Sequence, residues 1–307
     1  MKKNFKKTGL LDFGVILNQK KCKILKKHIQ NLSPYKKSIF YNSYEEFLKY
    51  GRIAKTSPGL SSHNIIYEKN INLDFIDNSE KFKKSASSLM GSNYKIIKRS
   101  VIMHIPSKLL PKWVQNKTKN IGRSNLNPWI KDKFQDVQYF SCLDFHQDMN
   151  KPISGFDKYA TFSINLDKVK KKDGPIQILE NTQVLGRTFY PHFVRQSAHD
   201  KNIWFYSDLR GNHIKSRNRV ITGPAGKVFC FHGLSLHGTF YNESSKPRIS
   251  LRYLISSSKN QFKKTIWGNS FKKVKGKIKI KNDAFTRLDV NKDGSYRETG
   301  ISIKRPN

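Results

Sequence analysis

The sequence predicts a mostly β protein with flanking helices (α+β), built as a double-stranded β-helix, the cupin-like jelly roll. Three observations predict it. From Val137 onward short apolar segments recur between turns, as Tyr159–Leu166, Ile176–Leu179, Ile203–Tyr206, Lys227–Phe231, Ser235–Tyr241 and Ile249–Ser256. That spacing belongs to a sandwich or barrel. Tyr159–Leu166 alternates cleanly, with Tyr159, Thr161, Ser163 and Asn165 on one face and Ala160, Phe162, Ile164 and Leu166 on the other, the period of a strand. Amphipathic segments with helical spacing precede these strands and supply helices for one outer face.

Taken in order, Phe5–Leu17 reads as a strand punctuated by Gly9. Asn18 caps a helix that carries Cys22, Ile24, Leu25, His28 and Ile29 at helical spacing to about Leu32, where Ser33-Pro34 ends it. Ser43–Tyr50 is a short helix and Lys55–Asn64 a loop rich in Ser, Gly and Pro. Ser79–Met90 is a further helix stopped by Gly91, and Tyr94–Ile105 a strand closed by Pro106. Lys108–Lys133 has two tryptophans and two prolines without periodicity and reads as a lid or insertion. Lys172-Asp173-Gly174-Pro175 is a tight turn into the next strand.

At 307 residues the chain buries a sizeable core. No run of 18 apolar residues exists, which excludes an apolar helical span. The N-terminal segment is basic, but Asp12 and Gly14 break its apolar run and no small-residue cleavage site follows, so no secretory signal is expected. Cys22, Cys142 and Cys230 fit no disulfide or zinc spacing, and a reducing, cytoplasmic compartment is expected. The formal charge is +37, yet 46 of the 59 basic residues are lysines spread over nearly every segment. Sequence-specific nucleic-acid readers rely on the forked arginine head. Diffuse lysine fits a compositional bias of the coding DNA at least as well as a polyanion partner.

The chemistry-bearing stretch is Phe140–Asp148, read as a strand. Side chains two apart on a strand share a face, so His146 and Asp148 set an imidazole beside a carboxylate. These are two of the three ligands of a 2-His-1-carboxylate triad, which holds non-haem Fe(II) on one side and leaves the other open. The remaining eight histidines are candidates for the third ligand. Of these, His104 reads as a core or surface histidine, while His232 and His237 occupy adjoining strands.

His146-Gln147-Asp148, the later His237 and Arg248 eleven residues beyond it resemble the phytanoyl-CoA dioxygenase family of Fe(II)- and 2-oxoglutarate-dependent oxygenases. His232 would put Glu243 at the arginine position. Asp173-Gly174-Pro175-Ile176 resembles the family's Asn-Gly-Pro turn, and the resemblance runs from about Phe5 to Ser256. It implies that His146, Asp148 and His237 bind the iron and that Arg248 holds the far carboxylate of 2-oxoglutarate. Thr239 is implied to bond that same carboxylate, and Gln138 to lie near the co-substrate. Dioxygen is the other co-substrate. Where the family has Pro-Gly-Ser-His, this chain has Glu180-Asn181-Thr182-Gln183, and Ser163 stands where some members place an aromatic residue; both departures bear on substrate. Retention of Asp148, which related halogenases replace with a small residue, favours hydroxylation.

The resemblance thus implies a hydroxylase of a small-molecule substrate, releasing succinate and CO2. Arg252, Ser250 and Arg248 share a strand face, so Arg252 is expected to point into the barrel, where an anionic substrate group would meet it. Two other readings stand beside it: an oxygenase acting on nucleic acid or another polyanion, and a non-catalytic jelly-roll binding module. The domain division expected is 1–256 for the jelly roll with its helices and 257–307 for a basic extension. In the extension, Asp289–Gly294 looks like the opening of a calcium loop. Gly300 and Arg297 occupy its ligand positions, so a hairpin turn through Asn291–Gly294 is expected and calcium is not.

Overall fold

The structure of the chain is a computed structural model, and it describes residues 1–51, 64–118, 123–148, 159–186, 193–207, 213–257, 288–290 and 296–298. Helices α1 (Lys2–Thr8), α2 (Gln19–Leu32), α3 (Tyr44–Tyr50), α4 (Ile65–Glu68), α5 (Asp74–Asp77), α6 (Glu80–Met90) and α7 (Lys112–Thr118) occupy the first part of the chain. Strands β1 (Leu10–Val15), β2 (Lys95–His104) and β3 (Arg123–Asn125) lie among them. Then follow β4 (Gln138–His146), β5 (Tyr159–Asn165), β6 (Ile176–Leu179), β7 (Phe193–Gln196), β8 (Ile203–Ser207), β9 (His213–Ile221), β10 (Lys227–His232), β11 (His237–Thr239) and β12 (Arg248–Ser256). The hydrogen-bonded order is β1-β10-β5-β12-β2-β4-β11-β6-β9-β8-β7, with β3 on β4. A short parallel pairing of Ile102–His104 with Gln138–Phe140 joins the half containing β12 to the half containing β11. This is the expected jelly roll.

Alternation decides which side chains enter the barrel. On β5 and β12, Phe162, Ile164, Ile249, Leu251, Tyr253 and Ile255 join the helix-side core with Cys22, Leu25, Ile29, Phe82 and Ala86. The opposite parity therefore faces inward: Thr161, Ser163 and Asn165 on β5, Arg248, Ser250 and Arg252 on β12. On β2 the buried Val101 and Met103 pack with the helices, which turns Lys98, Ser100, Ile102 and His104 inward. Between the halves, Leu10, Phe229 and Phe231 meet Ile178 and Ile221 in a smaller apolar cluster.

The helices form where capping and spacing direct them. The Asn18 side chain accepts from the Lys21 amide at the start of α2, and Ser43 and Ser79 cap α3 and α6 in the same way. Gly91 stops α6 at φ 95°, a conformation that favours glycine. Of the apolar residues expected on the buried face of α2, Cys22, Leu25 and Ile29 are buried, but Ile24 is 59% exposed.

Four local expectations are corrected. Residues 5–8 are the last part of α1 and not strand; Gly9 in the left-handed region caps the helix, and Lys6 and Lys7 sit in its last turn, where positive charge suits the helix dipole. The Lys108–Lys133 stretch is not a loose lid in its described part. Leu110, Val114, Leu126, Trp129 and Ile130 are core, and the Trp129 ring lies 4.9 Å from that of Phe47. Strands β7 and β9 were not expected. The solvent face of β9 is so polar (His-Ile-Lys-Ser-Arg-Asn-Arg-Val-Ile) that its alternation carries little hydrophobic signal. The Ser235–Tyr241 strand shortens to β11. The loop expected over residues 55–63 lies outside the described residues. At the C-terminal end, β13 (Leu288–Val290) pairs antiparallel with β14 (Tyr296–Glu298), while the expected turn at 291–294 lies outside the described residues.

Candidate metal centre

His146 ends β4 and His237 begins β11, and the two are direct partners across that ladder. Their rings lie 4.3 Å apart between centroids. The register shifts between Leu143 and His146, and such bulges re-aim the residues beside them. Gly238 permits the close approach, since a Cβ there would stand 2.5 Å from the Leu143 carbonyl.

Asp148 reaches the same point by a different route from the one expected. Strand β4 stops at His146, so alternation is not what places the carboxylate. Instead the chain bends, the Asp148 amide donates to the Gly233 carbonyl at 3.1 Å, and Gln147 anchors the bend. Gln147 is 1% exposed, and its Nε2 donates to the carbonyls of Gly186 (2.9 Å) and Leu234 (2.8 Å). Gln147→Ala is expected to lower stability by about 1–3 kcal/mol, because it strands the buried Leu234 carbonyl and loses the part-buried bond to Gly186. It should also weaken metal affinity roughly 10–100-fold as an outer support of a ligand. Thermal melts and metal titration measure both.

The donor atoms of His146, Asp148 and His237 all lie within 4.8 Å of one another. Asp148 Oδ1 is 3.9 Å from His146 Nε2 and 3.5 Å from His237 Nε2. Each histidine has its other nitrogen on a backbone carbonyl, His146 Nδ1 on Asp144 at 2.8 Å and His237 Nδ1 on Ser235 at 3.0 Å. A carbonyl only accepts, so each Nδ1 carries the proton and each Nε2 turns a lone pair to the centre, the arrangement that orients metal-binding imidazoles. The second carboxylate oxygen, Oδ2, accepts from Arg252 at 2.5 Å and from Thr161 at 3.3 Å. Burial alone would raise the Asp148 pKa; the Arg252 guanidinium leads the groups that outweigh it and hold the carboxyl well below its usual range. An anionic oxygen and two neutral nitrogens facing one point suit a divalent ion with open positions.

Arg248 is 8% exposed at the start of β12, beside the Asp173–Gly174 turn. Its Nε donates to the Asp173 carbonyl, one terminal nitrogen to Ser250, and the other to His104 Nδ1 at 3.3 Å. Among the described residues no carboxylate forms an ion pair with it, and burial lowers its pKa to about 10. A buried guanidinium without a counterion is costly, and a dicarboxylate supplies one. Thr239 Oγ1, Ser163 Oγ and Asn165 Nδ2 are likewise buried without a partner, as donors awaiting a polar ligand would be. These observations fit 2-oxoglutarate. Gln138 stands opposite Ile102 on β2, eight residues and roughly 25 Å of strand from His146.

Sequence reasoning gave His104, Gln147, Thr161 and Lys98 no role here. For His104, Lys98 and Thr161 the available signal was polar residues at alternate positions of strands whose other face is apolar. His104 is fully buried, with Nε2 2.5 Å from the Ser141 carbonyl and Nδ1 3.0 Å from that of Gly174. At Gly174 (φ 63°) a Cβ would fall 2.3 Å from this imidazole. Burial, and then the Arg248 charge, push the His104 pKa down to about 3. The folded state thus keeps it neutral, whereas the unfolded chain takes a proton below about pH 6.5. Stability is therefore lost as pH falls from about 6.5 toward 3, by up to about 1.4 kcal/mol per pH unit. Denaturant melts of His104→Gln across that window are expected to show a shallower acid dependence.

A jelly roll that gathers two imidazoles and a carboxylate in this way defines a class, the non-haem iron oxygenases. A family model described as phytanoyl-CoA dioxygenase matches residues 5–250, and the chain belongs to that family. It is accordingly an enzyme of the Fe(II)- and 2-oxoglutarate-dependent class. Similar solved structures include the non-heme alpha ketoglutarate dependent epimerase SnoN from nogalamycin biosynthesis (11% identity, 83% of this chain and 80% of that one, TM-score 0.48). The non-heme monooxygenase ThoJ is another (13%, 83% and 76%, TM-score 0.48), as is AviO1 from Streptomyces viridochromogenes Tue57 (10%, 84% and 94%, TM-score 0.45). No curated protein matches the chain.

Proposed function

We propose that this protein hydroxylates a small-molecule substrate, with His146, Asp148 and His237 holding the iron and Arg248 holding the far carboxylate of 2-oxoglutarate. The observation that carries the reading is the pairing of a three-donor centre with a buried Arg248 that, among the described residues, forms no ion pair, inside one barrel. When bound, iron with 2-oxoglutarate and dioxygen supplies the oxidant: one oxygen atom goes to succinate as CO2 leaves, the other to a substrate C–H bond. The chain's own part is to orient and to exclude water. Thr161 and Arg252 engage Asp148 Oδ2 and leave Oδ1 to the metal, and the carbonyls of Asp144 and Ser235 fix both imidazoles. Thr239 donates to the same carboxylate as Arg248.

The jelly roll with its helices is taken to run to about residue 256, where β12 ends, and the basic segment beyond it to be an extension. Cys22, Cys142 and Cys230 are buried and, among the described residues, none is in a disulfide; a reducing, cytoplasmic setting is part of this reading. Among the described residues no helix is long and apolar enough to cross a membrane. The polyanion reading draws on a groove of about 790 Å³ lined by Lys83, Lys84, Lys95 and Arg99, and salt-dependent DNA or RNA binding would favour it. The deciding experiment is a screen of small molecules for stimulated succinate release with Fe(II), 2-oxoglutarate and air. Stimulation by one chemical series supports the reading; tight iron and 2-oxoglutarate binding with no succinate under any compound favours the binding module.

A further inference from the structure

Of two cations that face the barrel interior, Arg252 meets the centre through Asp148 Oδ2 alone, and Lys98 has no part in it. Arg252 lies across from Ser100 on β2 and Ser163 on β5, and its side chain is 27% exposed, so it stands at the rim of the site. Lys98 faces the same interior from β2, one strand over, where it is half-buried. Burial first, then the neighbouring Arg252, lower its pKa to about 8, against an upward pull from Asp148. Lys98 is thus within electrostatic reach of both, and among the described residues no carboxylate forms an ion pair with it.

The charges of the loaded centre decide what this pair is for. The double charge of ferrous iron and the single charge of Arg248 are cancelled by Asp148 and the two carboxylates of 2-oxoglutarate. Lys98 and Arg252 are left over. Asp148 cannot neutralise Arg252 as well, because its Oδ1 faces the metal position while Oδ2 alone meets the guanidinium. Like charges held together at a partly desolvated rim repel, and an entering anion relieves the repulsion.

We propose that Lys98 and Arg252 form a subsite for an oxyanion group, a carboxylate or a phosphate, on the substrate. This rests on the iron and 2-oxoglutarate reading and deepens it, by assigning the substrate class and the residues that select it. Lys98 supplies the selecting charge. Arg252, tied to Asp148, links the bound anion to the metal side of the barrel.

The test titrates the full-length protein, loaded with Fe(II) and 2-oxoglutarate under anaerobic conditions, with matched probes: octanoate, octyl phosphate, octanamide and octylamine. Calorimetry is expected to show one or both anions binding at least about tenfold tighter than the amide, as a charge-assisted contact implies. Whether the carboxylate or the phosphate binds tighter tells which oxyanion is preferred. Lys98→Met should remove most of that preference without changing 2-oxoglutarate affinity, Lys98→Arg should keep it, and Lys98→Glu should turn it toward octylamine. Equal binding of anions and amide, an unaltered preference in Lys98→Met, or displacement of 2-oxoglutarate by octanoate overturns the subsite alone. Failure of the wild-type protein to bind Fe(II) or 2-oxoglutarate overturns the iron reading, and the subsite with it.

Discussion

His237→Ala is expected to abolish iron-dependent succinate release while leaving the fold intact. The imidazole is one of three donors converging within 4.8 Å, and its Nε2 is the donor nearer to Asp148 Oδ1, at 3.5 Å. Loss of an outer support for a metal ligand costs roughly 10–100-fold in affinity, so loss of the ligand itself should cost at least about 100-fold. The fold has little stake in the side chain. The ring packs at 4.3 Å from His146 and 4.4 Å from Phe231, and its Nδ1 bonds the Ser235 carbonyl only two residues away. Metal titration and succinate assay should fall together, while circular dichroism and the melting temperature of the metal-free protein stay near wild type. His146→Ala should behave alike. Wild-type turnover in either variant would remove that histidine from the centre.

Arg248→Ala is expected to raise the 2-oxoglutarate requirement far more than it changes metal affinity. Truncating one partner of a buried charge-assisted pair costs about 2–5 kcal/mol, roughly thirtyfold to a few thousandfold in affinity. Arg248→Lys should recover part of this, because an ammonium keeps the charge and loses the fork. Two features separate a binding role from a structural one. The guanidinium already has partners in the Asp173 carbonyl, Ser250 and His104, so its removal also loosens the turn at Gly174, and a modest drop in melting temperature accompanies the effect. Added 2-oxoglutarate should raise the melting temperature of the wild type but not of Arg248→Ala. Unchanged co-substrate affinity would take Arg248 out of the proposed role.

Much of this protein was legible from local pattern. The alternation of Tyr159–Leu166 separated the two faces of β5, because the face that meets the helices had to be apolar. Asn18, Ser43, Ser79 and Gly91 marked helix ends, because the unpaired groups of a helix terminus require such residues wherever they occur. The family, and with it the cofactor class, followed from His146-Gln147-Asp148 and the distance from His237 to Arg248.

What no local pattern held was decided by contacts between segments far apart in the chain. Asp148 was expected on a strand; it is carried to His146 and His237 by Gln147 and by the turn at Gly233–Leu234, some ninety residues on. Residues 5–8 carried no clear helical signal, yet they form the end of α1, with Phe5 buried beside His232. The inward row of Lys98, His104, Arg248 and Arg252 exists only once β2 and β12 are paired in register. Alternation is a property of a single segment, and so it is written in the sequence. Which segments lie side by side depends on the packing of the whole barrel, and that alone brought these charges to one site.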